Sequence, residues 1–87
     1  MIKLLKSRYM GQFRFALSFS DGSDGVFDLK AYLASREGRL LDDLRNEAFA
    51  RRAFIEAGAL CWPNGLELSA QRLHDPELLH MAVGHHD

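Results

Sequence analysis

An α+β fold is the expectation: an antiparallel sheet of five or six short strands, short helices packed on one face, and a helix added at the C-terminus. Three observations carry it. Phe13, Phe15, Leu17 and Phe19 alternate with Arg14, Ala16, Ser18 and Ser20, the period of a half-buried strand. Turn chemistry recurs at Asp21-Gly22, Asp24-Gly25 and Pro63-Asn64-Gly65, where Asp or Asn can hydrogen-bond nearby backbone and Gly accepts positive φ. From Leu29 the apolar spacing changes, with Leu29, Tyr32 and Leu33 three and four apart as on one helical face.

The elements follow in order. Residues 2–9 form a looser β-prone run, joined through Gly11 and Gln12 to the alternating strand, so the two should pair as an antiparallel hairpin with its aromatic face inward. A third strand, residues 26–28, should return beside the second and complete a meander. The short helix from Leu29 should end within residues 35–39, which include Gly38. Leu40, Leu41 and Leu44 offer apolar anchors in a compact turn, and Asn46 can cap a second short helix anchored by Phe49. Residues 54–56 and 59–62 flank Ala57-Gly58 as another hairpin. Pro63 restricts Trp62 to extended geometry, and Asn64-Gly65 suits a tight return into a strand over 66–68. In the tail, Asp75 is a good cap, Pro76 fits the first helical position, Glu77 complements the dipole and Gly84 can terminate, which predicts a helix over 76–83. Residues 85–87 read as a frayed end.

The chain has 87 residues, 47% hydrophobic and 26% charged, and reads as a single domain spanning 1–87 with no internal repeat or linker. A domain this small buries roughly 60–65% of the surface its unfolded chain exposes, so a partner or second copy is expected to cover spare apolar area. Eleven basic residues against twelve acidic ones give a net charge of −1, which disfavours nucleic acid as a partner of this chain alone. One cysteine and the absence of any long apolar run point to the cytoplasm, with no membrane association.

Side chains that could carry chemistry are few. Asp21, Asp24 and Asp28 gather carboxylates near two glycines, yet Gly25 falls where a calcium loop needs a ligand. Cys61 lies inside an apolar strand with no adjacent cation to lower its pKa. His74, His80, His85 and His86 lack zinc-site spacing. Arg51-Arg52 could contact phosphate, but Asp42, Asp43, Glu47 and Glu56 offset its field. No Ser/His/Asp grouping, paired-carboxylate motif or phosphate loop stands out, so no catalytic residue, metal or cofactor is expected.

Taken in order, Phe19-Ser20-Asp21-Gly22, Phe27-Asp28-Leu29, Leu41 to Leu44 before Phe49, and Trp62-Pro63-Asn64-Gly65 with Leu66-Glu67-Leu68 resemble a family of small bacterial proteins, the domain of unknown function 2442 family. The likeness spans residues 2–73, leaving 74–87 as a C-terminal helical extension. Glu67 stands where relatives usually have Asp, and Ala70 where they often have Pro. The DNA-binding helical region of some larger relatives is absent. The resemblance implies an α+β fold and a gene often found beside one for a small toxin-like protein; it supplies no catalytic residues.

The resulting expectation is a non-catalytic protein-interaction module, antitoxin-like or regulatory, whose partner is a small protein encoded nearby. The alternative is a nucleic-acid-linked autoregulator acting with that partner; a small hydrolase or metal enzyme ranks third. Asp21, Gly22, Pro63, Asn64 and Gly65 are expected to be structural turns. Trp62, Leu78, Leu79 and Met81 are the candidate interaction residues: Trp62 as a large ring beside a tight turn, with core packing the favoured alternative for it, and the others because a helix carrying Leu78, Leu79, Met81, Ala82 and Val83 has almost no polar side and invites a homodimer.

Overall fold

The computed structural model describes residues 1–81. In chain order the elements are β1 (Leu4–Gly11), β2 (Arg14–Phe19), β3 (Asp24–Asp28), α1 (Leu29–Ala34), α2 (Arg39–Asp43), α3 (Glu47–Ala50), β4 (Phe54–Glu56), β5 (Ala59–Cys61), β6 (Glu67–Leu68), α4 (Ala70–Leu73) and β7 (Leu79–Met81). The fold is α+β, as expected, but the strands do not make one sheet. β1, β2, β3 and β7 form a four-stranded antiparallel sheet in the order β1-β2-β3-β7, and β4, β5 and β6 form a separate three-stranded one. The two are joined where the Leu4 amide donates to the Gly58 carbonyl at 2.9 Å.

The turns explain the registers. Gln12 and Phe13 both take positive φ, as do Ala57 and Gly58, so each pair forms a two-residue hairpin loop whose twist matches its strands. Phe13 therefore belongs to the turn and not to the alternating strand. The other two reversals share one geometry. In Phe19–Ser23 the Gly22 amide donates to the Phe19 carbonyl and the Phe19 amide to the Ser23 carbonyl; in Trp62–Leu66 the Gly65 amide donates to the Trp62 carbonyl and the Trp62 amide to the Leu66 carbonyl. In both, the side chain just before the glycine accepts from the amide two residues on, Asp21 from Ser23 at 2.9 Å and Asn64 from Leu66 at 3.0 Å. Only the glycine takes positive φ, +88° at Gly22 and +96° at Gly65, so Asn64 acts through its side chain rather than through a left-handed backbone.

The helices are short, and α1, α3 and α4 are capped by side chains, whereas α2 begins at Gly38 without one. Asp28 accepts from the Ala31 amide at 3.1 Å, Asn46 from Phe49 at 3.3 Å and Ser69 from Arg72 at 3.1 Å. The helix α4, begun by Ser69, has no counterpart in the sequence-based expectation. Phe15, Leu17 and Phe19 of β2 and Phe27 of β3 pack with Leu29, Tyr32 and Leu33 of α1, and with Leu44, Leu60, Trp62 and Leu73, in one buried cluster. Each fully buried phenylalanine contributes about 1.5–3 kcal/mol. Phe49 only borders this cluster; Ala50 is the buried residue of α3.

The tail departs most from expectation. Asp75 does cap a turn: its carboxylate accepts from Glu77, and its carbonyl accepts from Leu78 and Leu79, each at 2.9 Å. The helix predicted over 76–83 goes no further, because Leu79–Met81 instead extends as a strand along β3, with Phe27 opposite Leu79 and Gly25 opposite Met81. Leu79 is buried, and a Cβ built on Gly25 would lie 2.6 Å from the Leu79 Cγ. The bare Gly25 backbone is thus the space into which Leu79 fits. The remainder of the predicted helix, residues 82–83, and the end at 84–87 lie outside the described residues. Among the described residues no helix is long and apolar enough to cross a membrane.

Candidate functional site

β1 pairs with β2 along its whole length, yet it slips twice. Leu4 pairs with Phe19 and Lys6 with Ser18, leaving Leu5 over; Tyr9 pairs with Phe15 and Gly11 with Arg14, leaving Met10 over. Each slip is a β-bulge, which places one extra residue on β1 and strengthens the local twist. Both extra residues are large, apolar and turned to solvent, Leu5 being 59% and Met10 46% exposed. The inner face keeps Leu4, Phe15, Leu17, Phe19 and Phe27, and the outer face receives Lys6, Arg8, Ala16, Ser18, Asp24 and Val26. That outer face, bounded beyond β1 by Ile55 of β4, forms an open trough of about 760 Å³.

The sequence-predicted interaction residues are elsewhere. Trp62 is buried, with its ring edge-on to Phe15 at 6.2 Å and its indole N–H donating to the Ala50 carbonyl at 2.9 Å. Leu79 is in the core, Leu78 is half-buried against it, and Met81 contributes to β7 by backbone pairing. Trp62, Leu78 and Leu79 do not form an exposed surface, because in place of the expected helix the chain turns into the strand β7. Asp21, Gly22, Pro63, Asn64 and Gly65 do build turns, and Asn64 also donates to the Leu40 carbonyl and to Asp43, each at 3.0 Å, tying its turn to α2.

One polar cluster was not legible in the sequence. His74, just after α4, places Nε2 3.1 Å from Asp21 Oδ2 and 3.0 Å from Ser23 Oγ, with its ring edge-on to Phe19. Ser23 also donates its hydroxyl to Asp21 Oδ1 at 2.6 Å. Serine, histidine and aspartate meet here without the geometry of a nucleophile. The one hydroxyl proton goes to the carboxylate, and serine and aspartate share the same imidazole nitrogen, so that nitrogen donates and no base faces the hydroxyl. The cluster clamps α4 to the β2–β3 turn. The Ser23 hydroxyl and amide hold the Asp21 carboxyl below the usual carboxylate range, with His74 adding to the effect. The only sequence signal was the Asp21–Ser23 spacing, since His74 lies 51 residues beyond Ser23.

The remaining candidates disperse. Asp24 begins β3 and Asp28 ends it, about 13 Å apart at strand rise, and Asp28 is committed to capping α1. Among the described residues no three His, Cys, Asp or Glu side chains converge as metal ligands. Cys61 is buried in β5, and burial, followed by the charges of Glu67 and Glu56, pushes its thiol pKa up. Arg51 lies over the Tyr9 ring and Arg52 over Phe49, while Arg36 stacks on Tyr32 at 4.1 Å. The Tyr9 hydroxyl donates to Glu47 and accepts from the Phe13 amide; burial and then the Glu47 carboxylate raise its pKa.

Residues 8–78 match the pattern of a family described as Protein of unknown function (DUF2442). No curated protein and no solved structure matches the chain.

Proposed function

The chain belongs to the DUF2442 family of proteins of unknown function, and we propose that it is a non-catalytic protein-interaction module that works through the solvent face of its four-stranded sheet. The observation that carries this reading is the pair of bulges in β1. Leu5 and Met10, the extra residues at these bulges, are exposed apolar side chains on one side of a trough floored by Ala16, Ser18 and Val26. An antitoxin-like or regulatory role, with a small protein encoded nearby as partner, is supported by the gene context that the family resemblance implies.

The test is co-expression with the neighbouring gene product, followed by gel filtration of the wild type and of a variant carrying Leu5→Asp and Met10→Asp. A complex that forms with the wild type and is lost with the folded variant supports the reading. Separate elution of both wild-type proteins, with no self-association through this face either, removes it. A second reading, a nucleic-acid-linked autoregulator, draws on Arg36, Arg51, Arg52 and Arg72, which stack on aromatic rings and present guanidinium groups near the surface. Binding to the protein's own promoter with a steep salt dependence would favour it.

A further inference from the structure

We propose that the occupant of the trough is a second copy of this chain, packed face to face about a two-fold axis running along β2. The proposal rests on reading this face as an interaction surface, and it is argued from the order of charges across the sheet. The register aligns Lys6, Ser18 and Asp24 in one row, and Arg8, Ala16 and Val26 in the next. Positive charge therefore lies on the β1 side, negative charge on the β3 side, and small residues on the strand between. With neighbouring strands about 4.8 Å apart, Lys6 and Asp24 stand roughly 10 Å from each other across β2.

A partner of one sign cannot satisfy this face. An acidic segment that matches Lys6 and Arg8 lies against Asp24, and a basic one meets the reverse conflict. A surface with the same two rows in reversed order matches Lys6 and Asp24 together, and the two-fold axis along β2 creates it from the chain itself: it lays β1 over the copy's β3, so Lys6 meets the copy's Asp24 twice over, while Arg8 lies over the copy's Val26 with its stem on the apolar side chain. Ser18 and Ala16 then face their own counterparts on the axis, where short side chains let two sheets approach. Leu5 and Met10 lie over the β3 side of the copy. Two other symmetric arrangements fail on charge. An axis across the strands stacks β1 on β1, and edge-to-edge pairing of two β1 strands sets Lys6 and Arg8 beside their equivalents. Arg14, the one charge on the middle strand, is opposite Asp28 in its own sheet and sits at the end of β2, where twist splays packed sheets apart.

Sedimentation at a series of concentrations tests this with Lys6→Asp and Asp24→Lys, each checked for an unchanged denaturation midpoint. The wild type is expected to dimerise, and each variant alone to self-associate at least about tenfold more weakly, because both Lys6–Asp24 contacts become like-charged. An equimolar mixture of the two variants should recover the dimer, since one chain then brings two acidic groups and the other two basic ones. A monomeric wild type, a dimer indifferent to either variant, or a mixture that stays monomeric overturns the proposal. If the wild type is monomeric but its complex with the neighbouring gene product is lost on Leu5→Asp with Met10→Asp, the face is an interaction surface and only its occupant was misassigned.

Discussion

Gly25 and Leu79 form a steric pair that can be measured as one. Gly25 sits on the inner face of β3 with an ordinary strand φ, so alanine there is not opposed by the backbone; what opposes it is Leu79, whose Cγ, Cδ2 and Cδ1 would lie 2.6, 2.8 and 3.0 Å from the new methyl. Gly25→Ala should therefore cost about 1–3 kcal/mol through overpacking. Leu79→Ala empties a buried site and should cost about 2–5 kcal/mol. The double variant removes the clash and lets the added methyl occupy part of the vacated volume, so its cost should fall short of the sum by about 1–2 kcal/mol. Urea denaturation of all four proteins with a shared m-value supplies the cycle. A domain of this length has a total stability of roughly 4–13 kcal/mol, enough for the single variants to be measured. Additivity within about 0.5 kcal/mol would refute the packing of β7 on β3, because a helix over 76–83 gives Gly25 and Leu79 no reason to couple.

Replacing Trp62 with Phe should destabilise by about 2–4 kcal/mol, combining a stranded Ala50 carbonyl with the smaller ring's cavity; a denaturation midpoint near wild type would show that the indole bond contributes nothing. Gly65→Val should cost about 1 kcal/mol or more, since its φ of +96° opposes a β-branched residue although the space around it is open, and an unaltered midpoint contradicts this. Because the folded-state pKa of Asp21 is depressed, its contribution is present above the unfolded carboxylate pKa and is lost as pH falls through the folded value. The stability gap between wild type and Asp21→Asn should accordingly shrink as the pH is lowered from about 4 towards the acid limit of folding, and a gap that stays constant throughout that acidification would exclude the Ser23 donors as its source.

What could be read from the residues was what local rules decide. The alternation through Phe15, Leu17 and Phe19, the helical face of Leu29, Tyr32 and Leu33, and the Asn46 cap all recur in the fold because each is settled within a few residues. The tail shows the limit. Asp75 is a true cap and the residues after it are apolar on every side, so propensity favours a helix; the open edge of β3 and the hollow over Gly25, more than fifty residues earlier, favour a strand and prevail. The division into two sheets was hidden for the same reason, since alternation does not say which edge a strand joins. The bulges left a trace: Leu4-Leu5 is an adjacent apolar pair that breaks the alternation of β1, and it reads as looseness until the register is known. The His74 clamp left almost none, as its members come from distant segments.

The position of β7 in the sheet sets an order on biosynthesis. β3 is complete once residue 28 has been made, but its second neighbour is not available until residue 81 has emerged. Throughout that interval the nascent chain carries an unpaired, apolar strand edge with Gly25 and Phe27 uncovered, the kind of edge that recruits strands from other chains. Any product that stops short of residue 79 keeps that edge permanently. Ribosome stalling, premature termination or proteolysis in the last tenth of the described chain would therefore do more than trim a terminus: it would convert an interior strand into an exposed template for aggregation.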